Sequence, residues 1–332
     1  MPFDPQILPY LNPAIDRRTA LVTAGTSGVG FYTVLHLHLH GYVVYLTGRS
    51  RTRASKAIER LQAELAAVVD TYTPEQRAKR FLGELHYLDM DLARLSSVLD
   101  TVAIFQNLER NLNILVNNAG VFVLTYTITE DGFELQLQTG YIAPFLLTIK
   151  LLPMLDRTTY ISPEAGPPRV VYVSSVIHHI IPMLFNLSTR LNYAPNFLFS
   201  WYGFAVTKAA GIHLVKMLAL HHPRMLCVSV LPGNVMNTDH FAYLTRLPII
   251  GILFWCLFQL CSFFFGITSQ DGAVSVAKCC MDPTLSTTTA NGAHFLAQEP
   301  RNPSYVARNM NYAAQTWMWT IHQLGKRNID MS

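Results

Sequence analysis

The sequence predicts a doubly wound α/β fold, a parallel sheet with helices on both faces. Three observations lead there. Strand-like and helix-like segments alternate along most of the chain. A glycine-rich turn stands between the first strand and the first helix. Half of the 332 residues are hydrophobic and 14% are charged, enough apolar material for one sizeable core. No internal repeat or low-complexity tract interrupts the pattern, so residues 1–332 are taken as a single domain.

The elements follow in order. TALVTA (19–24) reads as a strand, 28–41 as a helix and YVVYLT (42–47) as a second strand. A charged helix runs from about Thr52 to Asp70, LHYLDM (85–90) is a third strand, and a helix near 95–110 leads to NILV (113–116). A long helix covers about 130–154, followed by a strand at Arg169–Val173, a helix at Phe204–His221 and a strand at Leu226–Leu231. A last helix and strand include 271–280 and AHFLA (293–297). Segments 71–83 and 157–168 read as loops, as does part of 178–202, which is long enough to be functional.

A formal charge of +4 is too mild to argue for nucleic acid. The five cysteines (227, 256, 261, 279 and 280) are odd in number and fit no metal-site spacing, which makes reduced intracellular thiols the default. The start, MPFDPQILPYLNPAIDRR, lacks a basic region followed by an apolar core, so no secretory signal is expected. Mean hydropathy is +0.23, high for a soluble protein. The apolar residues concentrate in LPIIGILFWCLFQLCSFFFGI (247–267), inside an uncharged stretch between Arg246 and Asp271.

The turn Thr23-Ala24-Gly25-Thr26-Ser27-Gly28-Val29-Gly30 carries the first chemistry. Glycines at 28 and 30 let the backbone approach a pyrophosphate and let the helix pack close to its strand, while the helix N-terminus faces the anion. Thr23, Gly25, Ser27, Gly28 and Gly30 are therefore the candidate dinucleotide contacts of a Rossmann-type sheet; the alternative is a plain tight turn. The second strand ends in Thr47-Gly48-Arg49-Ser50-Arg51. A carboxylate here would select NAD by bonding the ribose 2′-hydroxyl, whereas arginine suits the 2′-phosphate of NADP(H). A solvated basic helix start is the competing reading, although cations there oppose the macrodipole.

VTAGTSGVG (22–30), LVNNAG (115–120), VSS (173–175) and LPGNVMNT (231–238) occur in the order found in the short-chain dehydrogenase/reductase family, which this chain resembles over about 20–240. ITEDGFELQLQT (128–139) and VSSVIHH (173–179) resemble its retinol-dehydrogenase-like branch, and the hydrophobic run with the ending TWMWTIHQL resembles fungal lipid-droplet members linked to vacuole morphology. The resemblance implies that Gly28 and Gly30 line the pyrophosphate, Arg49 meets the 2′-phosphate and Asp91 contacts adenine. It assigns Asn117 and Gly120 to the motif supporting the central sheet and the adenine ribose. Pro232, Gly233 and Thr238 match the loop flanking the nicotinamide. Ala24 departs from the family's usual first glycine.

The family reduces carbonyls or oxidises alcohols with a Tyr-x-x-x-Lys pair on one helix, a serine and an asparagine. Residues four apart share a helical face, and the ammonium lowers the phenol pKa from about 10. The lysine also holds the nicotinamide ribose, the serine bonds the substrate oxygen, and the asparagine anchors a water of the proton relay. Ser175 matches the serine and Lys208 the lysine. The tyrosine position is Phe204, which has no ionisable proton, and the asparagine position is Gly140, which has no side chain. Tyr202, two residues from Phe204, would face about 200° away on a helix and could serve only if the helix began later.

His36, His38 and His40 alternate, but only His36 and His40 share a face and no carboxylate or thiol joins them, so no metal site is expected. His178 and His179 either line a substrate cleft or pack. The run 247–267 cannot simply span a bilayer without stranding the last helix and strand from their sheet. It is read as a monotopic or re-entrant contact with a lipid-droplet surface or the cytosolic face of an endoplasmic reticulum or vacuole membrane, or as an apolar lid or homodimer contact. Two functions compete: an NADP(H)-dependent oxidoreductase of lipophilic alcohols or carbonyls, and a pseudoenzyme that keeps the cofactor and acts as a lipid-surface sensor or scaffold. A purely structural protein is disfavoured by the glycine turn.

Overall fold

The computed structural model describes residues 3–122, 125–161, 166–181, 185, 187, 196–233 and 267–330, with the backbone alone at 196–199. Cys256, Cys261, Thr238 and all of the run 247–267 except Ile267 lie outside the described residues.

One eight-stranded sheet organises the chain in the order β3-β2-β1-β4-β5-β6-β7-β8. Its parallel strands are β1 Thr19–Val22, β2 Val43–Gly48, β3 Glu84–Asp89, β4 Ile114–Asn117, β5 Arg169–Val173, β6 Leu226–Leu231 and β7 His294–Leu296. Strands β1, β4, β5 and β6 are buried at every residue, as strands covered on both faces must be. The last pair departs from the parallel expectation. Strand β8, Glu299–Pro300, returns antiparallel to β7 through Ala297, held at φ 51. Pro300 offers no N–H to a further strand, which suits an edge.

Two cores lie on opposite faces. One is built from α1 Gly28–Leu39 and the helix Ser269–Met281, packed on Ala20, Val22, Val44 and Val228; α2 Arg51–Asp70 adds Leu61 and Leu65. The other holds α4 Leu95–Leu108, the long helix ending at Ile161, and α7 Asn196–His221, around Phe105, Phe145 and Tyr172. Arg169 joins sheet to helix: its buried guanidinium donates to the carbonyls of Cys279 (3.0 Å) and Asp282 (2.8 Å) at the end of Ser269–Met281.

Several boundaries differ from the sequence reading, each for a local reason. Strand β1 stops at Val22 because Ala24 turns the chain out at φ 51. The segment 71–83 contains α3, Pro74–Lys79, with a reciprocal cap between Thr73 and Gln76. The long helix starts at α5 Leu135–Leu137, passes through a wider π turn at Gln138–Ile142, and continues as α6 Ala143–Ile161, into the segment read as a loop. Helix α7 begins at Asn196, eight residues before Phe204 and directly after Pro195 in the sequence, and it runs on through Gly203. The remaining α-helices among the described residues are α8 Ser269–Met281, α9 Tyr305–Arg308 and α10 Met310–Gly325.

Among the described residues, Ser200–His221 is the one helix stretch long and apolar enough to cross a membrane. Most of it is buried against β5, β6 and α10, so those apolar residues are accounted for by the core of the sheet.

Candidate active site

The sheet changes direction of build between β1 and β4, and the crevice at the carboxyl ends of those strands is where doubly wound sheets bind ligands. The glycine turn sits there. Gly28 is at φ 58, and a Cβ on Gly30 would come within 2.4 Å of Asn118 Nδ2 and 2.5 Å of the Ala24 carbonyl oxygen. A Cβ on Gly25 would press within 2.8 Å of Leu46 Cβ. Ala24 holds the left-handed backbone that glycine adopts at no steric cost. Ser27 stands at the α1 N-cap, exposed, with no side-chain bond to the first-turn amides. Those amides are therefore uncapped donors at the positive end of a helix, which fits a diphosphate.

Thr23 is turned the other way. Its hydroxyl accepts from the backbone N–H groups of Asn118 and Ala119 (2.9 Å each) and donates to the Val116 carbonyl, so it braces the turn against β4 instead of presenting itself to a ligand. Asn118 completes the brace, its amide donating to the Thr23 carbonyl at 2.9 Å. The sequence reading missed Asn118; the doubled asparagine of LVNNAG was the available signal. Asn117 Nδ2 instead donates to Thr148 Oγ1 on α6 (2.9 Å) and ties β4 to that helix.

Arg49 is exposed at the end of β2, beside the turn: Gly25 N–H donates to the Thr47 carbonyl, and a Cβ on Gly48 would lie 3.2 Å from Thr26 Cγ2. Arg51 is engaged in an exposed ion pair with Asp89 at 3.5 Å. Asp91 follows β3; its carboxylate accepts from Ala93 N–H at 3.0 Å and meets Arg94 Nε at 3.4 Å, leaving lone pairs open. Pro232 and Gly233 follow β6. Gly233 is at φ 111, and a Cβ there would come within 2.5 Å of Ile267 Cδ1.

Lys208 and Phe204 share one face of α7. The Lys208 ammonium is 5.6 Å from the Phe204 ring centroid and 5.3 Å from that of Tyr172. It donates to the Val173 carbonyl at 2.9 Å and lies 3.3 Å from where a Gly120 Cβ would be. Burial without a carboxylate pushes its pKa down from 10.5 to about 8. An ammonium has three donors; among the described residues one is used, so two remain for a ligand next to Gly120, which fits the vicinal hydroxyls of a ribose. Ser175 caps the 3₁₀ turn Val176–Ile180 by a long 3.5 Å acceptance from Ile177 N–H, and its own proton is free to donate. The neighbouring Ser174 hydroxyl is buried without a partner among the described residues.

Phe204 belongs to an aromatic wall that the sequence did not reveal. Its edge meets Phe122 at 5.5 Å, and Phe122 meets Trp201 at 4.5 Å. Tyr202 does not replace the missing phenol. The helix begins earlier, not later, so Tyr202 is held inside α7, about 200° around from Phe204, against the core with α6. Gly140 falls in the π turn, where a side chain would collide with Thr207 Cγ2 at 2.5 Å.

His178 is wholly buried beside the rings of His179 (4.2 Å) and His294 (5.4 Å), and neither of its ring nitrogens has a partner on another of the described residues. Burial first, then His179 and His294, pushes its pKa down to about 3, so it is a neutral packing group. His179 is exposed. At the end of α1, His40 is tied to the carbonyls of His36 and Pro5. No cluster of metal-ligating groups occurs among the described residues.

A nucleotide-binding crevice, a Ser-Lys pair and a seven-strand parallel sheet define a dinucleotide-dependent oxidoreductase scaffold. The family profile described as short chain dehydrogenase matches residues 18–246, and the chain belongs to that family. It is similar to the short-chain dehydrogenase/reductase drtF of Aspergillus calidoustus (31% identical, covering 97% of this chain and 98% of drtF). It is also similar to the human polyprenol dehydrogenase (29%, 97% and 89%) and the human retinol dehydrogenase 14 (33%, 92% and 85%). Among solved structures, the Pseudomonas aeruginosa RhlG/NADP complex aligns with a TM-score of 0.58 at 19% identity (89% and 96% covered). The Brucella melitensis 3-oxoacyl-[acyl-carrier protein] reductase complex with NAD aligns at 0.60 and 18% (90% and 98%). These two show a shared fold, and the family membership carries with it a nicotinamide cofactor.

Proposed function

We propose that this protein binds NADP(H) and acts on lipophilic alcohols or carbonyls at a lipid-droplet or intracellular membrane surface, with the proton-transfer half of the chemistry weakened. The observation that carries the reading is Lys208: a fully buried ammonium with one carbonyl acceptor, beside Gly120, on the face that also holds Phe204. The uncapped amides of α1 hold the diphosphate, Arg49 selects the 2′-phosphate, and Asp91 orders the adenosine side, while Asn117 supports the central sheet by tying β4 to α6.

The bound dinucleotide supplies the hydride. Ser175 donates its hydroxyl proton in a hydrogen bond to the substrate oxygen, and Lys208 fixes the ribose and adds positive charge next to the developing alkoxide. The wall of Phe204, Phe122 and Trp201 excludes water and favours an apolar substrate. Relatives named for polyprenol and retinol support that substrate class. The run 247–267, a candidate lid, membrane-surface segment or homodimer contact, supports the lipid surface by its composition.

A second reading is favoured by the phenyl group at 204: the cofactor is retained and catalysis lost, leaving a lipid-surface sensor or scaffold. One experiment separates them. NADPH and NADH are titrated by fluorescence, and retinal-like and steroid carbonyls are then offered to the wild type and to Phe204→Tyr. Measurable wild-type turnover that rises ~10²-fold or more in the variant supports a weakened enzyme. Turnover only in the variant supports the second reading, and no binding of either nucleotide refutes both.

A further inference from the structure

We propose that Thr207 is the residue that bars a side chain from position 140, and that with Tyr172 it closes the fourth catalytic position of this site. The inference rests on the reading that Lys208 and Ser175 face a bound dinucleotide.

Gly140 lies at the middle of the π turn Gln138–Ile142 that interrupts the long helix, a distortion that often marks a functional site. A Cβ built there meets Thr207 Cγ2 at 2.5 Å and Thr207 Cβ at 3.9 Å, and nothing else among the described residues within 4 Å. One methyl group is therefore the whole obstruction to a Cβ at this position. That methyl cannot swing aside. Thr207 is fully buried, and its hydroxyl donates to the Gly203 carbonyl at 2.9 Å, which fixes χ1 of a β-branched side chain.

The main-chain oxygen of Gly140 is engaged as well. It accepts the Tyr172 hydroxyl at 2.7 Å. Tyr172 is wholly buried, and its ring occupies space that exists because residue 211 is glycine: a Cβ there would lie 1.8 Å from Tyr172 Cζ. Tyr172 on β5, Gly140 in the π turn, and Thr207 and Gly211 on α7 thus form one interlocked unit, adjoining Lys208 through the Tyr172 ring. The Thr207 methyl takes the space of a side chain at residue 140, and the Tyr172 hydroxyl takes one lone pair of its carbonyl. The proton for a nascent alkoxide then comes from Ser175 or from solvent, with no relay through residue 140.

Thr207→Ser deletes only the obstructing methyl and keeps the hydroxyl bond. Gly140→Asn, Thr207→Ser and the double variant are melted, each with a parallel NADPH titration, and the same changes are made in Phe204→Tyr for steady-state kinetics. Gly140→Asn alone is expected to lower Tm by about 2–6 °C. The double variant recovers most of that loss, a non-additivity that marks direct contact. In the Phe204→Tyr background the Gly140→Asn/Thr207→Ser pair raises kcat ~10-fold or more with KM little changed. An undiminished Tm for Gly140→Asn, or losses that simply add, overturns the interlock. Recovery of Tm with no gain in kcat overturns the catalytic meaning given to position 140. Failure of the wild type to bind NADPH instead removes the underlying reading and leaves the melting test standing.

Discussion

Gly30 offers a quantitative test of the cofactor crevice. In Gly30→Ala the new methyl would sit 2.5 Å from the Ala24 carbonyl oxygen and 2.4 Å from Asn118 Nδ2. Neither neighbour can retreat freely. Ala24 is already held at φ 51, and Asn118 Nδ2 is bonded to the Thr23 carbonyl at 2.9 Å. Helix α1 must move outward, and that bond is lost or stretched. Overpacking costs about 1–3 kcal/mol, and the broken hydrogen bond about 1 kcal/mol. At roughly 2–4 °C per kcal/mol for a domain of this size, an apo melting temperature lower by at least ~4 °C follows. The shift also moves the α1 amides away from the diphosphate, so a tenfold weaker affinity would remove ~1.4 kcal/mol of NADPH stabilisation at saturating nucleotide. Differential scanning calorimetry with and without NADPH reads both effects. Gly325→Ala is the control, because a Cβ there meets nothing within 4 Å. If Gly30→Ala matches that control in both melting temperature and NADPH shift, the close approach of α1 to the β4 loop does not shape the crevice.

Arg49→Ala should weaken NADPH binding at least ~10-fold and leave NADH unaffected, since the guanidinium acts on the 2′-phosphate alone; equal losses for both nucleotides count against that role. Lys208→Met should separate stability from binding: removing an ammonium whose pKa is pushed from 10.5 to about 8 relieves up to about 3 kcal/mol of burial cost, so the apo protein melts higher while nucleotide affinity falls. Because the folded protein holds fewer protons than the unfolded chain between pH 8 and 10.5, this lysine also makes wild-type stability rise with pH across that window, a slope that Lys208→Met should flatten. His36, His213 and His294 are each pushed from 6.5 to about 4, chiefly by burial. The unfolded chain therefore binds the extra protons, and stability is lost as pH falls from 6.5 toward 4, by at most about 3 kcal/mol per histidine. An apo melting temperature unchanged between pH 7 and pH 5 would contradict this.

Much of the site was legible because its chemistry is local in sequence. The glycine turn, Ser175, Lys208 and the absence of groups at 140 and 204 could all be read from short motifs. Helix ends were harder. The eight-residue extension of α7 back to Asn196 decided the standing of Tyr202, and aromatic residues such as those of FLFSWY carry no period of their own. Asn117 and Asn118 stand side by side in one motif, yet they face α6 and the glycine turn respectively. Adjacent residues at a strand end point to opposite faces, and only the register of the folded sheet says which meets what.

By itself the sequence determined the doubly wound architecture, the glycine turn between β1 and α1 and the absence of two reactive groups, because periodicity, glycine and side-chain chemistry are properties of the chain before it folds. The tertiary structure alone decided that Gly140 is closed by the Thr207 methyl, that Gly211 exists to house the Tyr172 ring, and that Lys208 is buried with donors to spare. Those facts depend on distances between β5, the π turn and α7, elements separated by tens of residues. Close packing turns a single methyl group at such a junction into a barrier, and nothing in the linear order of residues encodes where that methyl will stand.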